Sequence, residues 1–129
     1  MIERGQDRLR IAGVDDTWTR RADLARALEG AGDGAPTVLL AHDPDLFDDA
    51  ARKGADLVLS GHTHAGQIAL PFFTRAVNLA RLSHENTWGL YRRGDAVQYV
   101  HAGLGTTGPP IRFGAAPEIV VLTLRRAAA

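Results

Sequence analysis

The sequence contains no cysteine, so disulfide bonds and thiolate metal sites are excluded, and any metal ion must be bound by nitrogen and oxygen atoms. No apolar run approaches the roughly 18 residues needed to span a bilayer, and the charged opening "MIERGQDRLR" does not resemble a signal peptide. The formal net charge is zero, so electrostatics gives no reason to predict a nucleic-acid partner. These absences make a soluble, cytoplasmic protein the default expectation and leave membrane association open.

The composition is that of an ordinary globular protein, with 129 residues of which 45% are hydrophobic. A chain of this length is expected to form a single domain, here residues 1–129, and to bury a core without disulfides. Short apolar runs alternate with helical patterns in the first half, which predicts α/β layering. The predicted elements are a strand at 8–14, a helix at 20–29 capped by Thr19, a strand at 37–41, a helix at 44–53 capped by Asp43, and a strand at 56–60.

The second half of the chain has a different pattern. Two alternating runs flank the turn "RRGD", which predicts a β-hairpin. A loop rich in glycine and proline, "GLGTTGPP", comes next, and the apolar run "PEIVVLTLRR" at 117–126 predicts a final strand.

Three histidines stand directly after two of the apolar strands: His42 after the first, and His62 and His64 after the second. Parallel strands joined by a crossover helix open at the same edge of a sheet, where α/β proteins bind ligands, so the three imidazoles are expected to converge. Imidazole is the commonest nitrogen ligand of metals. Gly61 is expected to let the chain turn sharply. The pattern predicts a metal site, and three histidines could form an open zinc site with water as the fourth ligand.

Other polar residues are weaker candidates. His84 lies in a polar segment and is predicted to be a surface residue, and a structural role is predicted for His101. Asp15 and Asp16 follow a strand, and turn capping is favoured over a role in the site. Arg112 follows the glycine-rich loop, where it could bind an anionic substrate or form a surface salt bridge.

The segment "VLLAHDPDLFDDAARKGADLVLSGHTHAGQIALPF" resembles the calcineurin-like metallophosphoesterase superfamily, and more narrowly its bacterial YkuE/YaeI-like subgroup. The superfamily pattern closes with an isolated histidine and a Gly-His-x-His block, which here are His42 and Gly61–His64. The segments "LRIAGVDD", "GLYRRG", "GLGTTGPPIRF" and "PEIVVLTL" are also similar to the subgroup, so the resemblance covers the chain from about Ile2 to Leu124.

The resemblance implies a layered α/β/β/α sandwich with a mixed sheet and a hydrolase of phosphoesters that uses two divalent cations. By position in the motif, His42 and His62 would bind one metal ion and His64 the other. The ions implied are Mn²⁺, Fe²⁺ or Fe³⁺, or Zn²⁺, and the substrate beyond a phosphoester is left open.

The Asp-x-His, Gly-Asp-x-x-Asp and Gly-Asn-His-Asp/Glu motifs of the family do not occur in this sequence. The resemblance is therefore to the C-terminal half of such a protein, and the expectation is a partial domain from a truncated reading frame. Such a chain is expected to be inactive, or nearly so, without an N-terminal half as its partner. A smaller departure is Ala65, where the subgroup usually has glycine.

Two alternatives stay open at this point. The first is a hydrolase with a single zinc ion bound by His42, His62 and His64, which would need no further half. The second is a remnant or interaction module without catalytic activity, which the missing carboxylate motifs would explain.

Overall fold

The computed structural model describes residues 1–125 and contains one sheet of six strands. The strands are β1 (Ile2–Arg4), β2 (Asp7–Gly13), β3 (Thr37–Leu40), β4 (Leu57–Ser60), β5 (Gly89–Arg93) and β6 (Ala96–Val100). The α-helices are α1 (Leu24–Ala27) and α2 (Phe47–Arg52), and single 3₁₀ turns lie at Pro44–Leu46, His64–Gly66 and Leu79–Leu82.

The strand order across the sheet is β1-β2-β3-β4-β6-β5. The four inner strands are parallel, with pairs such as Leu39 with Val58, and each edge strand is antiparallel to its neighbour. The predicted α/β class with a mixed sheet is therefore confirmed. The predicted hairpin is β5 and β6, and its second strand pairs in parallel with β4.

The helices cover one face of the sheet and form the main core with it. Leu39 and Val58 are fully buried there against Phe47, and Leu24 and Leu28 of the first helical segment pack into the same cluster. Burying a large apolar side chain in this way stabilises a fold by about 1.5–3 kcal/mol. None of the described residues forms a helix long and apolar enough to cross a bilayer.

Both helices are shorter than predicted, and the first has a different cap. The Asp23 side chain accepts the backbone N–H of Arg26, whereas Thr19 donates its hydroxyl and backbone N–H to Asp16. Arg20 has a φ of +57°, which is incompatible with a helix beginning there. The second prediction was right about its start, because Asp43 caps a 3₁₀ turn that opens with Pro44 and continues into α2.

The opposite face of the sheet is open. Ile11 and Leu40 are about half exposed on it, at 46% and 48%. Residues 117–125 contain no strand, so the predicted strand at 117–126 was wrong over its described part, and residue 126 lies outside the described residues. Ile119 and Leu122 line a cavity against Leu40 on this face. A strand needs a neighbour to complete its ladder, and the backbone N–H of Glu118 bonds instead to the Gly103 carbonyl of a loop, 3.1 Å away.

Candidate metal centre

Three histidines lie at the end of the sheet formed by the carboxyl ends of its parallel strands, one after each of three neighbouring strands. His42 follows β3, His62 follows β4 after one glycine, and His101 follows β6. The ladder continues past the strand ends, since the N–H of Gly61 donates to the His42 carbonyl at 3.1 Å and that of His101 to the Ser60 carbonyl at 2.9 Å. His101, for which the sequence predicted a structural role, thus lies at the same edge as the predicted ligands.

Gly61 allows close approach of two rings at this edge. A Cβ atom on Gly61 would lie 3.2 Å from His101 Nε2 and 3.5 Å from His42 Cε1. Its φ is outside the left-handed region, so the predicted need for a sharp turn at this residue is not what requires glycine. The missing side chain leaves room for the two imidazoles.

The imidazoles of His42, His62 and His84 form a continuous row. The rings of His42 and His62 are 5.4 Å apart between centroids and nearly perpendicular, and those of His62 and His84 are 5.1 Å apart in the same manner. The indole of Trp18 lies 6.2 Å from the His62 ring on the exposed side. His62 is therefore in contact with one predicted ligand and with one histidine that the sequence did not single out.

His64 stands apart from this row. Its Nδ1 is 2.9 Å from the Gly105 carbonyl, and its Nε2 is 3.3 Å from the Thr107 hydroxyl. Two tautomers fit these contacts: Nδ1–H donates to the carbonyl and Nε2 has the lone pair, as is usual in a histidine that binds a metal ion, or Nδ1 accepts from Arg112 Nη2, 3.3 Å away, and Nε2 has the proton. Within residues 1–125, the ring nitrogens of His42, His62 and His64 do not all lie within 4.8 Å of one another.

The segment that presents His62 and His64 has a strained backbone. His62, His64, Ala65 and Gln67 all have φ between +53° and +65°. Each such non-glycine residue costs on the order of 1 kcal/mol or more, and strain of this kind concentrates at functional sites. At Ala65 the φ of +54° explains why glycine would suit the position.

Arg112 holds the glycine-rich loop through its guanidinium group. Its Nη2 donates to the carbonyls of Ala102 at 2.7 Å and Gly103 at 3.1 Å, and its Nε to that of Gly105 at 3.1 Å. Within the described residues it forms no ion pair, so the surface salt bridge weighed from the sequence is not formed. Its contacts fix the carbonyl that orients His64.

His84, which was predicted to be a surface residue, is partly buried and lines a surface cleft. Its side chain is only 17% exposed, and its Nδ1 is 2.9 Å from a carboxylate oxygen of Asp45. Together with Asp43, these two residues form a cluster in which one potential ligand atom from each residue lies within 4.8 Å of the others. No local pattern predicts this contact, because 39 positions separate the two bonded residues and the segment around His84 has no clear periodicity.

Asp15 and Asp16 cap a turn, as the sequence favoured. The Asp15 carboxylate accepts the N–H of Asp16 at 2.9 Å, and the Asp16 carboxylate accepts the N–H of Thr19 at 2.8 Å. The hydrogen bond from the Thr19 backbone lowers the pKa of Asp16.

The pKa of His62 is lowered, first by burial and then by repulsion from His84, while the Asp43 carboxylate acts in the opposite direction. Burial disfavours the charged imidazolium, and the surrounding imidazoles would add like charge to it. The lowered pKa therefore favours the neutral form of His62, which is the form that binds metal ions.

A buried polar network lies beneath the site. The Gln98 side chain is fully buried and donates to the Pro44 carbonyl at 2.9 Å and the Ser60 hydroxyl at 3.0 Å, and it accepts from Asn86 at 2.7 Å. Gln98 lies on β6, and its side chain connects this strand to three other segments: the turn after β3, the end of β4 and the segment that contains His84. These three segments carry His42, His62 and His84, so the network holds the backbone near each imidazole of the row.

Two cavities open at this edge. A cleft of about 380 Å³ is lined by His62, His64, His84 and Trp18. A wider cavity of about 700 Å³ has His42 and His101 at its margin and apolar residues of the open sheet face along its wall. The rings of His42 and His62 are in contact where the two cavities approach each other.

Three known proteins that the chain resembles in sequence are described as metallophosphoesterases or as containing a metallophosphoesterase domain. The chain is 38% identical over 118 residues to YkuE, an uncharacterized metallophosphoesterase of Bacillus subtilis, which covers 92% of the chain and 41% of that protein. It is 39% identical over 123 residues to an uncharacterized metallophosphoesterase of Helicobacter pylori, with coverage of 90% and 32%. It is also 37% identical over 135 residues to a transmembrane protein with metallophosphoesterase domain of Danio rerio, with coverage of 97% and 30%.

No family model and no solved structure matches the chain. The chain spans less than half the length of the curated relatives it matches, between 30% and 41% of the three described. The family implies divalent metal ions and hydrolysis of phosphoesters. The resemblance seen in the sequence is thereby confirmed, and the chain is homologous over about nine tenths of its length to the metallophosphoesterases.

Proposed function

We propose that this chain supplies histidine ligands to the centre of a metal-dependent phosphoester hydrolase, with His42 and His62 binding one divalent cation and His64 another. The observation that carries the proposal is the contact between the His42 and His62 rings at adjacent strand ends, with His64 directed to a separate position. This division matches the one that the family motif implies. Residues 1–129 would then be part of one metallophosphoesterase domain.

The residues fit metal binding in part. The pKa of His62 is lowered, which favours the neutral form that binds metal ions. If His64 Nδ1–H donates to the Gly105 carbonyl, Nε2 has a lone pair for a metal ion, which would replace its contact with the Thr107 hydroxyl. A divalent cation held there would supply charge to stabilise a phosphoester oxygen. The three imidazoles carry no negative charge, however, and a two-metal centre needs carboxylates to offset its cations.

The alternative with a single zinc ion has less support. A tetrahedral zinc site with Zn–N bonds of about 2.0–2.1 Å requires its ligand nitrogens to lie within about 3.5 Å of one another. His64 is bonded to the glycine-rich loop and does not join His42 and His62 in one compact group within residues 1–125.

We further propose that the isolated 129-residue chain has little or no hydrolase activity, because the motifs that carry the family's bridging carboxylate are absent from its sequence. The test is to purify the chain and measure hydrolysis of bis(p-nitrophenyl) phosphate with added Mn²⁺. We expect a rate at the level of Mn²⁺ alone. Turnover above that level that is lost in His62→Ala would show that this chain is sufficient for catalysis and contradict the proposal.

The metal ligands are tested separately by binding. Zn²⁺ and Mn²⁺ affinities are measured by calorimetry for the wild-type chain, His42→Gln, His64→Gln and the matched control His101→Gln. We expect each ligand variant to weaken binding by at least about tenfold and the control to leave it within about twofold. Unchanged affinity in both ligand variants would refute the assignment of these histidines.

A further inference from the structure

We propose that Asp43, Asp45 and His84 form a separate divalent-cation site beside the pair of His42 and His62. The potential ligand atoms of the three residues all lie within 4.8 Å of one another. Two carboxylates and one imidazole suit Mn²⁺ or Zn²⁺, and they bring the negative charge that the other histidines lack. The site uses none of the three histidines of the proposed function and does not depend on it.

The spacing of the ligand atoms matches the geometry of a metal site. Asp45 Oδ2 and His84 Nδ1 are 2.9 Å apart. In an octahedral site with bonds of about 2.1 Å, neighbouring ligands are about 3.0 Å apart and opposite ligands about 4.2 Å apart. A cation that replaces the proton which His84 shares with Asp45 would find this pair near the octahedral spacing, with an oxygen of Asp43 within 4.8 Å of both atoms.

The Asp43 carboxylate is already oriented by donors on both of its oxygens. Its Oδ1 accepts the N–H of Asp45 at 3.0 Å, and its Oδ2 accepts the Thr17 hydroxyl at 2.6 Å. Carboxylates that bind metal ions are commonly held by outer hydrogen bonds of this kind, which fix them and leave their other lone pairs free. The Asp43 carboxylate is thus held in place on the turn that follows β3, and Asp45 lies two residues further along the same turn.

The charge of the two acids is not offset by an arginine or lysine. Among residues 1–125, Asp45 pairs with His84 alone and Asp43 forms no ion pair, whereas Asp48 and Asp49 of α2 each pair with an arginine. A divalent cation would supply the missing positive charge. The His84 ring also contacts His62, so the cation would lie next to the proposed phosphoester site.

Mn²⁺ binding to the 129-residue chain provides the test, with the free ion counted by electron paramagnetic resonance. The variants are Asp45→Asn, His84→Gln, the double variant of His42→Gln with His64→Gln, and Asp49→Asn as the matched control, because Asp49 lies outside the site. We expect Asp45→Asn and His84→Gln each to lower the affinity for one Mn²⁺ ion by at least about tenfold. The control and the double variant should retain that ion.

Two results would overturn the site: Mn²⁺ affinity and stoichiometry in Asp45→Asn and His84→Gln equal to those of the control, or loss of all Mn²⁺ binding in the double variant. The proposed function fails in a different way, namely if the double variant binds as many ions as the wild type. If a single variant does not fold, amide signals of the wild-type chain can be monitored during Mn²⁺ addition. Broadening is expected first at Asp43, Asp45 and His84, and broadening centred on the glycine-rich loop instead would contradict the proposal.

Discussion

At the scale of single residues, burial and neighbours decide what each histidine can do. His62 is enclosed by two other imidazoles, His64 is bonded to a backbone carbonyl, and His84 is bonded to Asp45. These surroundings differ although all are histidines at one edge. The consequences for protonation can be measured residue by residue.

His62 is expected to titrate below about 6.5, the ordinary pKa of histidine. Because the unfolded chain would take up this proton at a higher pH than the folded chain, stability should fall as the pH decreases through and below about 6.5. His84→Gln removes both burial and a like charge, so it should raise the pKa of His62. The measurement is a pH titration of the histidine ring signals by NMR.

His101→Gln serves as the control, since His101 is not among the groups that shift the pKa of His62. A midpoint for His62 at or above 6.5 in the wild-type chain, or no change in His84→Gln, would contradict this account.

At the scale of elements, the loop after β4 combines a strained backbone with tight packing. Gly66 has a φ of +80°, and a Cβ atom there would clash with the buried Asn78, at 2.7 Å from its Cγ. Asn78 in turn donates to the hydroxyl of Thr87 at 3.0 Å. The position therefore requires glycine for two independent reasons.

Gly66→Ala should destabilise the fold by about 2–4 kcal/mol, the sum of a left-handed backbone penalty and overpacking. Gly32→Ala is the matched control, because Gly32 has a φ of +84° and nothing within 4 Å of its added Cβ. The control should cost only about 1 kcal/mol. Chemical denaturation of both variants gives the comparison, and equal losses would show that the packing against Asn78 is unimportant.

The elements most accurately predicted from the sequence are those governed by local patterns. The apolar runs of β3 and β4, the hairpin around "RRGD" and the start at Asp43 and Pro44 all depend on neighbouring residues alone. The length of the helices was overestimated, because tertiary packing rather than helical propensity decides where such short helices end.

The parts that were not predicted depend on contacts between distant segments. Pairing of β6 with β4 places His101 at the site edge, and the contact of Asp45 with His84 creates an acidic group next to His62. Neither leaves a pattern in the local sequence. The row formed by His42, His62 and His84 could therefore be identified only from the structure.

At the scale of the whole molecule, the sheet has one packed face and one open face. Leu39 and Leu40 are adjacent on β3 and point to opposite sides, with exposures of 0% and 48%. Burial therefore differs between the two faces of this sheet by nearly half of a side chain's surface at neighbouring positions.

Leu39→Gln should destabilise the chain by about 3–5 kcal/mol, since it removes core packing and buries an amide. Leu40→Gln, its matched control, should change the free energy of unfolding by less than about 1 kcal/mol. It should also reduce fluorescence of the dye ANS bound to the open face. Denaturation and dye titration of both variants test this, and equal destabilisation would contradict a single packed face.

The spacing of the parallel strands has a further consequence for how this edge could be altered. Neighbouring strands in a sheet lie about 4.8 Å apart, and the 5.4 Å between the His42 and His62 rings is close to that interval. The backbone thus sets the spacing of the Cα positions from which these side chains extend, whereas the length and rotamer of each side chain decide where its donor atom lies. A substitution that exchanges the imidazole of His42 or His62 for a shorter carboxylate therefore also moves the donor atom, and the fixed strand spacing cannot restore its position.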